Sequence, residues 1–359
     1  MQLVTFERRA TGEGRSRTDG ADADHLLSDP AAPGLELGEA GGTGARRLGA
    51  LLPRGAHAGA VVDLNRALAV RLALDDVGAP EAQADSQLPP HALAFLRQLD
   101  TSLPAAQRAL AFAVDCSTRY DAPDLVRAGV LLPRRSVRLT APVPRPGKIL
   151  AVARNYPAHA AEGGRPPPEE PVFFLKATSS VIGPEDDIVL PRASSSVDFE
   201  GELAVVIGRT AKGVSEADAL AFVAGYTIAN DVSARDFQGV HGQHFIGKSC
   251  DTFAPLGPAL VTADEVPDPQ DLGLRTIVSG EVMQSARTKE MTFPVAVLIA
   301  FASRLLTLEP GDVLLTGTPA GVGMARKPPR WLRDGDVVDV EIERVGLLRN
   351  FVTTEREHA

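Results

Sequence analysis

Val197-Asp198-Phe199-Glu200-Gly201-Glu202-Leu203-Ala204-Val205-Val206-Ile207-Gly208 is the stretch on which the reading of this chain turns. Three carboxylates stand at alternate positions, so Asp198, Glu200 and Glu202 are expected on one face of a strand, with an apolar run continuing into a core. Like charges stacked in this way repel one another unless the face is fully wet or a cation neutralises it. On spacing alone, a solvated edge strand and a cation site both stay open. A second polar cluster, Asn230-Asp231-Val232-Ser233-Ala234-Arg235-Asp236, follows the apolar strand expected over 224–229, where loops at strand ends host sites. All-oxygen ligands suit a hard cation such as Mg²⁺, Mn²⁺ or Ca²⁺, with magnesium the default. The lack of a Cys or paired-His ligand set argues against zinc and copper.

Around this stretch the signals are mainly β. Strands are expected at 148–153, 172–176, 203–207, 225–230, 272–278 and 313–316, and a terminal hairpin over 336–342 and 347–352. Helices are few there: a short turn at 157–162, then 215–222 and 294–306. Strict alternation of strand and helix is missing, so an α+β, mainly β body is expected rather than a doubly wound parallel sheet. Pro142, Pro144 and Pro146 enforce an extended connector and place a boundary there, giving domains 1–141 and 142–359. The first domain reads as a small β unit (2–6, 47–52, 60–64) followed by helices at 64–74, 90–99 and 103–119. Within it, 10–45 is rich in Gly, Ala, Asp and Ser without an aromatic residue, and is expected to be a flexible insertion.

The 359 residues include 37 Lys and Arg against 46 Asp and Glu, a net charge of −9, which is the wrong sign for binding phosphate backbones. Nucleic acid is therefore excluded as a partner. No apolar run is long enough to cross a membrane and no secretory pattern opens the chain, so a soluble, cytoplasmic protein is expected. Two cysteines, Cys116 and Cys250, far apart in sequence, make neither a disulfide framework nor a zinc site.

Three further stretches carry polar groups suited to chemistry. In Arg154-Asn155-Tyr156-Pro157-Ala158-His159-Ala160-Ala161-Glu162, His159 and Glu162 meet on one side of a helical turn. A carboxylate beside an imidazole orients it for acid and base work near neutral pH, although a plain surface pair has the same spacing. The following 163–171, flexible and then stiff with prolines, suits a lid. Gln238 and Lys248 lie in a loop that also holds His241 and His244, both read as loop residues. Leu314-Leu315-Thr316-Gly317-Thr318-Pro319-Ala320-Gly321-Val322-Gly323 is glycine-rich but lacks P-loop spacing, and reads either as a tight turn or as a pocket wall lined by Thr318 and nearby amides.

In combination and order these motifs resemble the fumarylacetoacetate hydrolase family, over about 148–352. The resemblance implies a mixed β-roll catalytic domain preceded by a small N-terminal α+β domain, and assembly as a homodimer. It implies that Glu200, Glu202 and Asp231 hold one Mg²⁺ or Mn²⁺, with Asp198 beside them. His159 and Glu162 become the acid/base dyad of a mobile lid, joined by Lys248 among the catalytic groups. Arg154, Tyr156, Arg235, Gln238 and Thr318 become contacts to a small 2-oxo acid. The chain departs from the family in its short 239–247 loop, where His241 and His244 replace an aromatic residue, commonly Trp. It departs again in Ser279-Gly280-Glu281 for the commoner Asn-Gly-Glu, and in the 10–45 insertion.

The activity this implies is hydrolysis of a carbon–carbon bond in a 2,4-dioxo acid, of acylpyruvate or fumarylpyruvate type. His159 would activate water against the distal carbonyl, and a pyruvate enolate would leave and be protonated. Decarboxylation of an oxaloacetate-like acid or isomerisation of an unsaturated 2-oxo diacid would use the same electron sink. A noncatalytic, metal-stabilised binding module is the rival outside catalysis.

Overall fold

The structure, a computed structural model, describes residues 1–9, 44–53, 57–119, 122–239 and 243–356. All but the last two residues of the expected 10–45 insertion, and His241 as well, lie outside the described residues. The chain divides into two compact units, Met1–Thr140 and Ala141–Ala359.

In the first unit the strands Gln2–Arg8, Arg47–Leu51, Val61–Asp63 and Leu131–Leu132 pair in sequence, all antiparallel. Val137–Thr140 adds to the other side of Gln2–Arg8. Their apolar residues, Leu3, Phe6, Leu48 and Val61 among them, are buried; helix Leu64–Leu74 packs on Arg47–Leu51 and Val61–Asp63 and is itself covered by helices Pro80–Gln87 and Leu99–Arg119. Asp63 ends a strand and caps the helix that follows: its carboxylate accepts the Arg66 amide at 3.1 Å, the geometry that makes Asp a strong N-cap.

Among the described residues the second unit holds two large sheets beside a two-stranded pair. One runs Ala254–Thr262, Val223–Asn230, Gly201–Ile207, Val313–Leu315, Ile149–Ala153, Val172–Lys176, antiparallel except where Val313–Leu315 lies parallel to Ile149–Ala153. The other runs Glu281–Arg287, Gly273–Val278, Val337–Ile342, Gly346–Thr354, Asp187–Leu190, with the last pair parallel. The sheets face each other across a core that includes Leu203, Val205, Ile228, Leu274, Val340 and Leu348. The result is the α+β, mainly β class that the patterning predicts.

Two expectations fail for local reasons. The helix expected at 215–222 shrinks to a 3₁₀ turn, Ala219–Phe222. Ser215 Oγ donates to Asp218 at 2.6 Å, and such side-chain bonds compete with helix formation. Asp198, Glu200 and Glu202 do not share one face of a continuous strand. Val197–Asp198 pairs with Ser233–Ala234, the chain leaves strand geometry at Phe199 and Glu200, and a new strand opens at Gly201.

The strand directions gather the polar loops. Leu315 lies opposite Ala151 in the parallel pair, so the chain leaves both strands on the same side, into 154–163 and 316–323. Gly201 lies opposite Asn230, and Ala204 opposite Leu315, which brings the first residue of one strand and the last of another to that same end.

Candidate active site

Glu200, Glu202 and Asp231 each present a carboxylate oxygen, all within 4.8 Å of one another, and all three side chains are buried. Glu200 is 5% and Glu202 1% exposed, so the solvated-edge reading is ruled out for both. Gly201 between them has no room for a side chain, because a Cβ there would lie 2.1 Å from Thr276 Oγ1. The Asp231 amide donates to the Glu200 carbonyl at 2.8 Å, fixing the third carboxylate against the first.

Cationic side chains brace this cluster unevenly. Lys248, on the short helix Phe245–Lys248, reaches Glu200 Oε2 and Asp231 Oδ2, both at 2.7 Å. Arg235 lies 2.7 Å from Glu200 and 2.8 Å from Asp198, and its Nη1 donates to Gln238 Oε1 at 2.7 Å. Asp198 is saturated by Arg235 and by the Gly323 and Met324 amides at 2.7 and 3.0 Å, which keeps it beside the cluster rather than in it. Glu202 accepts the Gly317 amide at 2.6 Å and has no ion pair among the described residues.

The electrostatics follow from that difference. Burial pushes the Glu200 carboxyl up, but Lys248 and then Arg235 outweigh it and hold Glu200 below the usual carboxylate range. For Glu202, burial and then the charges of Asp231 and Glu200 act in one direction and push its carboxyl well above that range. Three all-oxygen donors with this uncompensated repulsion fit a hard divalent cation in both chemistry and charge.

Beside the cluster, His159 and Glu162 on the helix Pro157–Glu162 form the expected pair: Nδ1 lies 2.8 Å from Glu162 Oε1. A carboxylate only accepts, so Nδ1 carries the proton and Nε2 of the neutral ring is left as a base. The other Glu162 oxygen accepts the Gly321 amide at 2.9 Å, latching this helix to the glycine-rich loop. His159 is close enough to act electrostatically on Glu200. Tyr156 is buried, its hydroxyl has no hydrogen-bond partner among the described residues, and burial followed by the charge of Glu202 raises its phenol.

The remaining expected contacts are placed less uniformly. Gln238 sits between Arg235 and His244 Nδ1, the latter at 3.2 Å. The Thr318 hydroxyl donates to the Gly201 carbonyl at 3.0 Å. Arg154 takes a left-handed φ of 56° and donates to the Pro166 carbonyl at 3.4 Å, with no described contact to the carboxylates.

Several residues escape a reading of the sequence. Lys176 closes a strand and is wholly buried, giving its protons to Asp231 Oδ1 at 2.6 Å, to the Val232 carbonyl at 3.2 Å and to the Lys248 carbonyl. Its sequence signal is a lone lysine at the end of the apolar run Val172-Phe173-Phe174-Leu175. Burial lowers Lys176 from its ordinary value, with Asp231 opposing. Asn155 is also buried: its side-chain amide donates to the Phe293 and Thr316 carbonyls and its Oδ1 accepts the Phe293 amide, so it ties the turn between Ile149–Ala153 and Pro157–Glu162 to the glycine-rich loop. His244 is the loop residue expected, and it meets Gln238 at 3.2 Å with its ring 5.5 Å from Phe174.

A family profile described as Fumarylacetoacetate (FAA) hydrolase C-terminal matches residues 148–353, and the chain belongs to that family. Among individual relatives, it is 47% identical over 270 residues to "Oxaloacetate tautomerase FAHD2A, mitochondrial" of Homo sapiens, covering 75% of this chain and 81% of the human protein. The crystal structure of 2-hydroxyhepta-2,4-diene-1,7-dioate isomerase from Mycobacterium marinum matches with a TM-score of 0.56 and 45% identity, over 64% of this chain and 82% of that one. Fumarylacetoacetate hydrolase from psychrophilic Exiguobacterium antarcticum matches more of the chain, 87% against 96% of its own, with a TM-score of 0.65 and 35% identity.

The human relative's name corrects one expectation. The rat, cattle and human relatives, 46–47% identical, are named as mitochondrial, which overturns the cytoplasmic location expected here. That expectation rested on charge and hydropathy, which bear on crossing a membrane and not on which compartment holds the protein. Among the described residues no helix is long and apolar enough to span a membrane.

Proposed function

We propose that this protein is a divalent-cation-dependent enzyme that moves a proton on the carbon beside the 2-oxo group of a short 2-oxo diacid, interconverting the keto and enol forms of an oxaloacetate-like acid. The observation that carries this reading is an imidazole oriented by Glu162 with Nε2 left as a base, beside a buried carboxylate cluster in which Glu202 has no ion pair among the described residues. Mg²⁺ or Mn²⁺ held by Glu200, Glu202 and Asp231 would supply Lewis acidity toward the substrate's carboxylate and 2-oxo oxygens.

His159 Nε2 takes a proton from C3, the C–H electrons form the C2–C3 double bond, and the carbonyl electrons move onto oxygen. His159 then returns the proton to that oxygen. Glu162 holds the ring in one tautomer throughout and stabilises its charged form. Tyr156 stays protonated, so its unpartnered hydroxyl is a donor for the developing oxyanion. Lys248 holds Glu200 and Asp231 in place through ion pairs at 2.7 Å.

Isomerisation of an unsaturated 2-oxo diacid is the second reading. It passes through the same enolate, and the M. marinum isomerase at 45% identity favours it. Hydrolytic cleavage of a 2,4-dioxo acid draws its support from the E. antarcticum structure. One panel separates these readings: oxaloacetate, an unsaturated 2-oxo diacid and an acylpyruvate incubated with Mn²⁺, with and without chelator, and the products identified. Accelerated loss of the oxaloacetate enol, abolished by chelation, is expected. His159→Ala should lower kcat by about a hundredfold to ten-thousandfold while Mn²⁺ uptake persists. A melting shift with Mn²⁺ but turnover of no panel member would leave the binding module in its place.

A further inference from the structure

Gln284 belongs to the second sheet, in the strand Glu281–Arg287, and is 1% exposed. Strand alternation should turn either Met283 or Gln284 outward, yet both are buried. The cause is a β-bulge: Thr276 pairs with Gln284 but Ile277 pairs with Val282, so Met283 has no partner across the ladder. Bulges re-aim side chains in this way and are common beside active sites.

The donors around Gln284 can be assigned without ambiguity. The Gly201 amide can only donate, and it meets Gln284 Oε1 at 3.0 Å. Gln284 Nε2 therefore gives its protons to Thr318 Oγ1 at 2.7 Å and the Pro319 carbonyl at 2.8 Å. Thr318 Oγ1 in turn donates to the Gly201 carbonyl at 3.0 Å, which closes a ring through Gly201, Gln284 and Thr318. Every member is buried, so each bond is costly to leave unmade. The ring seizes both peptide groups between Glu200 and Glu202, one through the Gly201 amide and the other through its carbonyl. Gly201 cannot slide away, since its Cα is packed against Thr276 and Val340.

We propose that Gln284 is a positioning residue for the cation centre, its ring with Thr318 and Gly201 setting the spacing and orientation of Glu200 and Glu202 as ligands. The inference rests on the reading of Glu200, Glu202 and Asp231 as cation ligands. It also assigns Thr318 a supporting part, because its hydroxyl proton is committed to Gly201.

The test measures Mn²⁺ affinity of the full-length protein by calorimetry, with turnover followed separately and the metal-free melt recorded for each variant. Gln284→Met keeps the volume and removes the ring; Thr318→Val removes only the hydroxyl, and Thr318→Ser restores it. Both Gln284→Met and Thr318→Val should weaken Mn²⁺ binding about 10–100-fold, the usual effect of losing a partner that orients a ligand. Thr318→Ser should bind like the wild type, and the double variant should be no worse than the weaker single one, because both break one ring. Should Gln284→Met fail to fold, Thr318→Val decides. Wild-type Mn²⁺ affinity in Thr318→Val, or additive losses in the double variant, would overturn the ring and leave the cation reading intact. A wild type that takes up no Mn²⁺ would overturn both.

Discussion

Asp63 in the first unit and Glu202 in the second are equally hidden carboxylates in opposite company. Asp63 is met by Arg47 Nε at 2.6 Å and Nη2 at 3.0 Å, by the Arg66 amide at 3.1 Å, and by Arg8 at 4.0 Å. Glu202 has one backbone amide, and its nearest charges are two further carboxylates. A buried acid whose lone pairs are answered by arginine is part of the scaffold. One left among its own kind is held there at the expense of stability, which is the pattern expected where a cation is to be bound. Asp336 is a second example of the scaffold type, with Arg330 at 2.7 and 3.0 Å, Ser279 Oγ at 2.7 Å and the Arg333 amide at 2.8 Å.

Neutralising each acid separates the two kinds. Asp63→Asn strands Arg47 and should cost about 3–5 kcal/mol in a urea melt, with Mn²⁺ affinity unchanged in the folded fraction. Equal stability of this variant and the wild type would erase the distinction. Glu202→Gln should behave in the opposite way: Mn²⁺ binding weakens by more than the roughly 100-fold that loss of an outer partner can cost, while the metal-free melt stays level or rises. A marked fall in that melt would make Glu202 a scaffold group. The smallest effect concerns acid stability. Burial would raise Asp336, but hydrogen bonds from Arg330, Ser279 and the Arg333 amide outweigh it and hold the carboxyl below its ordinary value of 3.8. A depressed carboxyl contributes stability above its unfolded value and loses it as pH falls through the folded one. Asp336→Asn should therefore be less stable than the wild type near neutral pH, with the two melts converging below about pH 4.

The parts of the site written in local sequence were readable, and the parts created by long-range pairing were not. Pro157 at the first helical position and the three-residue spacing of His159 and Glu162 specify a short helix with its pair, and the structure has both. The alternation of Asp198, Glu200 and Glu202 correctly drew attention to the segment but misjudged its shape. Arg235 and two loop amides pull Asp198 away before the strand begins at Gly201. Lys176 looks like any lysine at the end of a strand, since only the fold brings Asp231 over it. Gln284 was invisible for a stricter reason: a period-of-two reading cannot foresee a bulge, and the bulge depends on which residue of the neighbouring strand is skipped. The contacts of His244 to Gln238 and Phe174 are likewise unmarked in the chain.

The bond from Gly321 to Glu162 spans 159 positions of the chain. The helix bearing His159 is thus held by a loop far from it in sequence, and the two meet only because Ile149–Ala153 and Val313–Leu315 pair in parallel. Melting of either strand would therefore free Glu162 from its latch and leave the imidazole beside it without a fixed orientation.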